Sequence, residues 1–163
     1  MFVFPPRGRL TDGERNFYIA MIGLGVLGAL LAHVTIMRFA SEIPGLHGLD
    51  PMALWVIIAG LIGGVGGFFS CYRTYLGHEG FFGWMRALFG GVIITGLGAV
   101  ISGTLILPFY GTMFAPFQIV ISMIEYPVLA VVWAAVLMCA HLLMRQWRRE
   151  RDSIFAVVHE PHF

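Results

Sequence analysis

Apolar residues in this chain do not alternate with polar ones; they fill long blocks separated by short polar breaks. The blocks lie at about 16–39, 51–72, 84–107 and 117–146. About 20 consecutive apolar residues are enough for a helix to cross the hydrocarbon core of a bilayer, so each block predicts a transmembrane helix. The expected fold is all-α, a four-helix transmembrane bundle forming one membrane domain over residues 1–163.

Inside the blocks, small residues recur at every fourth position. The second block carries Gly60/Gly64 and Gly63/Gly67, the third carries Ala87, Gly91, Thr95, Ala99 and Gly103, and the first carries Gly25/Ala29 and Gly28/Ala32. In water each glycine would weaken a helix by roughly 1 kcal/mol relative to alanine. In lipid a bare helix face lets a second helix approach closely. Gly60, Gly63, Gly64, Gly67, Gly91, Ala99 and Gly103 are therefore the expected packing points.

The boundaries follow from local chemistry. Thr11, Asp12, Gly13 and Glu14 have the form of a capping box, in which Thr11 and Glu14 satisfy each other's free amides at a helix start. Asp50 followed by Pro51 is a good start for the second helix, and Trp55 suits the headgroup boundary beside it. Pro108, Gly111 and Pro116 predict a turn over 108–116. The last block is too long for a perpendicular crossing, since about 28 residues at 1.5 Å each reach roughly 42 Å against a core of about 30 Å. Either that helix is tilted, or its membrane part begins at Pro127 and leaves 117–124 as an interfacial or bent segment.

Composition agrees with the pattern. Hydrophobic residues make up 58% of the chain and charged residues only 12%, with a mean hydropathy of +0.83, outside the range of soluble domains. A net charge of +1 gives no reason to expect a nucleic-acid partner. The distribution of the basic residues says more. All ten are arginines, and they cluster before the first block, around the loop between the second and third, and after the fourth; only Arg38 stands at an opposite end. The positive-inside rule then places both termini in the cytoplasm, in a bacterial inner membrane. Cys71 and Cys139 form no metal-ligand or redox spacing and read as small buried hydrophobes. The first apolar block is too long, and lacks the small-residue cleavage site, for a removable leader.

Ionisable groups within a bilayer are costly and therefore candidates for function. Three qualify: His33, Glu125 and His141. If the fourth helix starts near 117, His33 and Glu125 share a depth, with Tyr126, Thr35, Ser102 and Thr104 close by. Such a pair could relay protons or hold a cation or quinone headgroup. The competing expectation is an interfacial Glu125 and a histidine satisfied by one interhelical hydrogen bond. His33 and His141 fall in opposite halves of the bundle and so cannot clamp one haem between them. Arg145, Arg148, Arg149 and Arg151 could contact lipid headgroups or a partner, or act as a topology signal at a helix end.

No phosphate loop, metalloprotease motif, nucleophile elbow or pair of catalytic carboxylates is present. The expected function is that of a non-enzymatic, cofactor-free accessory or assembly subunit of a larger membrane complex. Its expected partners are membrane lipids and either another protein or further copies of itself. The reason is that glycine faces on three helices exceed what one small bundle needs. An oligomeric transporter using His33 and Glu125, and a quinone- or haem-associated redox subunit, are the alternatives.

Overall fold

The structure, a computed structural model, describes residues 10–40 and 51–158. It contains five helices: α1 (Asp12–Ala40), α2 (Pro51–Tyr75), α3 (Gly80–Ile106), α4 (Tyr110–Glu125) and α5 (Pro127–Val158). Four of them, α1, α2, α3 and α5, are long and apolar enough to cross a membrane. This marks a multi-pass membrane protein. Residues 41–50, including Asp50, lie outside the described residues, as do Arg7, Arg9 and the last five positions.

The capping box forms at the start of α1. Thr11 N–H donates to Glu14 Oε2 at 3.0 Å, and Glu14 N–H donates to Thr11 Oγ1 at 3.2 Å. The reciprocal pair lets α1 begin at Asp12, a full turn before its apolar block.

The expected fourth helix is two helices. Tyr126 separates them with φ −118° and ψ 81°, closing α4 through its N–H to the Ser122 carbonyl at 2.9 Å. The cause is Pro127, whose ring disfavours the helical conformation in the preceding residue. The long apolar helix therefore begins at Pro127, the later of the two expected starts. The turn expected over 108–116 shrinks to Leu107, Pro108 and Phe109, and α4 begins at Tyr110 despite Pro116 in its second turn. Contact with α3 outweighs local propensity here: Gly111 packs directly on the Gly103 carbonyl, and the Thr104 and Thr112 hydroxyls share a hydrogen bond of 2.8 Å. At 16 residues, α4 reaches only about 24 Å and is too short to span.

The long helices pack in the row α5, α1, α2, α3. α2 sits in the middle because it is bare on two sides. Gly60 and Gly64 lie against Gly28, Leu24 and Gly25 of α1, while Gly63 and Gly67 lie against Gly98 and Ile94 of α3. α5 runs antiparallel to α1, with Asn16 donating to Gln146 at 2.8 Å and the Gly13 amide bonded to Glu150. The start of α1 and the end of α5 thus share one end of the bundle, called here the terminal end. At the opposite end α4 crosses from α3 to α1: Gly111 on Gly103 anchors its start, and Ser122 on Thr35 (3.3 Å) with Glu125 on Arg38 (2.6 Å) anchors its finish.

The third-helix stripe is also covered. Gly91 faces Leu137, Thr95 Oγ1 accepts from Trp133 Nε1 at 2.8 Å, and Gly103 faces Gly111 and Ala115. The lower half of the stripe thus meets α5, and its upper end meets α4.

Candidate functional site

Where α4 crosses over, the row of helices forms a half-open cavity of about 420 Å³. α1 contributes Leu24, Leu27, Gly28, Leu31, Ala32, Thr35 and Ile36 to one wall. α3 forms the other wall from Ile94 to Ile106, continued by Leu107 of the following turn; Val56, Gly60 and Gly64 of α2 form the back, and Tyr110, Gly111, Phe114, Ala115, Gln118 and Ile119 of α4 form the roof. The size lies within the range of small-molecule sites, and a mostly apolar lining with a few polar groups is their usual chemistry. None of the lining residues carries a charge.

The roof is built from a stripe that the sequence displays but that its apolar context conceals. Gly111, Ala115, Gln118, Ser122 and Glu125 recur at alternating spacings of four and three, which puts them on one face of α4. Gly111 and Ala115 meet α3, Gln118 lines the cavity, Ser122 is fully buried against Thr35, and Glu125 reaches Arg38. The opposite face exposes Met113, Phe117, Val120 and Ile124. Reading 108–116 as a turn hid this periodicity, and with it Gln118 as a lining residue.

The sequence-derived residues are arranged differently from a single polar pair. Glu125 is held by Arg38, and among the described residues no hydrogen bond or ion pair joins it to His33. The His33 Nδ1 is buried without a hydrogen-bond partner. Tyr126 is the half-exposed break between α4 and α5. His141 lies far from both. Since Asn16 stands level with Gln146, His141 stands level with Met21, roughly 18 Å along the axis from His33 at 1.5 Å per residue.

His141 belongs instead to a knot at the terminal end. It is completely buried, its ring lies 4.7 Å from that of Trp84, and its Nδ1 accepts the Gly77 amide at 3.2 Å. Gly77 has φ +81°, a conformation suited to glycine, and this permits the tight turn between α2 and α3. Arg148 donates from Nε to the Leu76 carbonyl at 2.9 Å and from its terminal nitrogen to the Arg73 carbonyl, satisfying the free carbonyls at the end of α2. Arg149 pairs with Glu79 at 2.6 Å, Arg145 approaches the same carboxylate at 4.0 Å, and Arg151 pairs with Asp152 at 3.3 Å while lying over Trp147. Arg149 holds the Glu79 carboxyl below the usual carboxylate range by hydrogen bond and charge. The arginines considered for lipid contact thus have partners within the chain, and this end of the bundle is a clasp.

Searches against protein-family models, curated proteins and solved structures return no match.

Proposed function

We propose that this chain is a non-enzymatic, multi-pass inner-membrane protein that holds a hydrophobic molecule of the bilayer in the cavity beneath α4. The cavity is the observation that carries the reading: it is apolar, of ligand size and free of charged groups. Both termini are assigned to the cytoplasm from the arginine distribution. The packing of α1 against α5, which brings the first and last helices to one end, supports their sharing a side.

The packing gives less reason to read the chain as an accessory subunit. That reading rested on spare glycine faces, and the faces of α1, α2 and α3 are occupied within the bundle; among the described glycines of these helices only Gly23, Gly80 and Gly96 have open space beside them. A relay through His33 and Glu125 is likewise weakened by the Arg38 pairing.

The test is to purify the protein in mild detergent, extract it with organic solvent and identify small molecules present in fixed ratio to the chain. Leu27→Trp and Ile119→Trp fill the cavity from its wall and its roof. A compound near one per chain in the wild type, reduced at least tenfold in whichever filled variants retain the wild-type melting profile, is the expected result. Absence of any stoichiometric compound, or equal retention by the folded filled variants, refutes the reading.

A further inference from the structure

We propose that the cavity selects an uncharged, ring-headed amphiphile, by class an isoprenoid quinone, and that Gln118 is the hydrogen-bond partner of its headgroup. This rests on the reading of the cavity as a ligand site. Three observations narrow the class.

The first is charge. No acidic or basic side chain lines the cavity, and Glu125, on the same face of α4 as Gln118, is paired with Arg38 of α1 at 2.6 Å. A phosphate or carboxylate headgroup placed inside would lose water and gain no counter-charge, which is strongly unfavourable in an apolar space. A neutral headgroup avoids that cost.

The second is the state of the polar lining. Thr35 already donates to the Leu31 carbonyl at 2.8 Å, Ser102 donates to the Ala99 carbonyl at 3.2 Å, and Thr95 accepts from Trp133 at 2.8 Å. The Gln118 side chain, half-buried in the roof, has no hydrogen bond to any described residue, and neither has Tyr110, which stands largely exposed at the rim of the roof. An amide N–H and a phenol O–H are both donors. They suit a headgroup of carbonyl acceptors.

The third is shape. Tyr110 and Phe114 stack on each other at the rim of the roof, largely exposed, with 13° between their rings, so that their edges and one face border the mouth of the cavity. Flat aromatic surfaces favour a planar ring in offset contact. Toward the middle of the bundle the walls become wholly aliphatic, from Leu31 through Leu27 to Leu24 with Ile94 opposite. That gradient orients an amphiphile, headgroup under α4 and chain toward the bilayer centre.

The experiment titrates the wild-type protein in nanodiscs with decylubiquinone and follows tryptophan quenching. Trp133 reports from behind the cavity wall through its bond to Thr95. Dioctanoylglycerol and palmitate serve as uncharged ringless and anionic competitors. Saturable quenching at one site per chain is expected, with neither competitor displacing the quinone at comparable concentration. Loss of one hydrogen bond in Gln118→Leu is expected to weaken binding roughly 3- to 10-fold, with the melting temperature unchanged, and Gln118→Glu is expected to weaken it further. Equal competition by dioctanoylglycerol or palmitate, or unchanged affinity in Gln118→Leu, overturns the assignment of ring and headgroup while leaving an apolar site in place. Failure of every probe, together with the absence of any co-purified compound, removes the cavity reading as well.

Discussion

Substituting Gly60 with alanine tests how closely α1 and α2 pack. A β-carbon built at Gly60 falls 2.6 Å from the Gly28 carbonyl oxygen and 2.6 Å from the Ala32 β-carbon, whereas ordinary contact begins at 3.4 Å. The oxygen belongs to helix backbone and cannot rotate away, so the two helices must part by most of an ångström. A gap of that size forfeits roughly a quarter to a half of each contact's dispersion energy along the seam. Inserting a methyl into a packed interface costs about 1–3 kcal/mol. Alanine's better helix propensity returns up to roughly 1 kcal/mol. Gly96→Ala supplies the control, because it gains the same propensity and its β-carbon meets nothing within 4 Å. The expected difference between the two variants is therefore about 1–3 kcal/mol, equivalent to roughly 2–12 °C in melting temperature for a chain of this size. Thermal unfolding in one detergent, followed by circular dichroism, measures it. Gly63→Ala, which meets the Gly98 carbonyl and the Ser102 β-carbon, should behave like Gly60→Ala from the opposite side of α2. Equal melting temperatures for Gly60→Ala and Gly96→Ala would show that the seam is not tight and that the glycines serve some other purpose.

Two further outcomes concern the terminal end. Arg148→Met uncovers the Leu76 and Arg73 carbonyls and should cost about 1.5–3 kcal/mol for each charged hydrogen bond lost; Arg149→Met, whose Glu79 partner is exposed, should cost much less, and equal losses in thermal melts would contradict the clasp. Burial, followed by the positive charges of Arg148 and Arg86, holds His78 below its ordinary value near 6.5. The unfolded chain then binds more protons than the folded one as pH falls through that value, so stability is fullest above it and declines below. His78→Gln should flatten this part of the profile when melts at about pH 5.5 and 7.5 are compared, and an unchanged slope would assign it to another group.

The spanning helices were legible because their signal is length and uniform apolarity, which need no partner to interpret. The Thr11 and Glu14 capping box was legible for a similar reason, since both of its groups lie within one turn. The glycine faces were recognisable as packing faces, but not their assignment to neighbours in the same chain; four-residue spacing describes a face and says nothing about which helix meets it. α4 was obscured by Pro116, which locally argues for a break, and the helix persists through contacts with α3 that only the folded chain supplies. The partner of Glu125 was obscured in turn, because Arg38 comes within reach only once α4 crosses the bundle.

The cavity and the tight packing have a common origin. Gly28, Gly60, Gly64, Gly98 and Gly103 line it, and these glycines also bring α1 and α3 up to α2 or receive α4. A residue chosen for its lack of a side chain permits backbone contact on its packed side and leaves nothing to fill the space beyond. In the lower half of the bundle α5 supplies that filling with Leu137 and Trp133. In the upper half none of the lining comes from α5, and α4, lying across from α3 to α1, closes the space from above without entering it. Larger residues at the back of the trough would therefore separate the helices before they filled the void, so close packing and an open cavity are two results of the same glycine row.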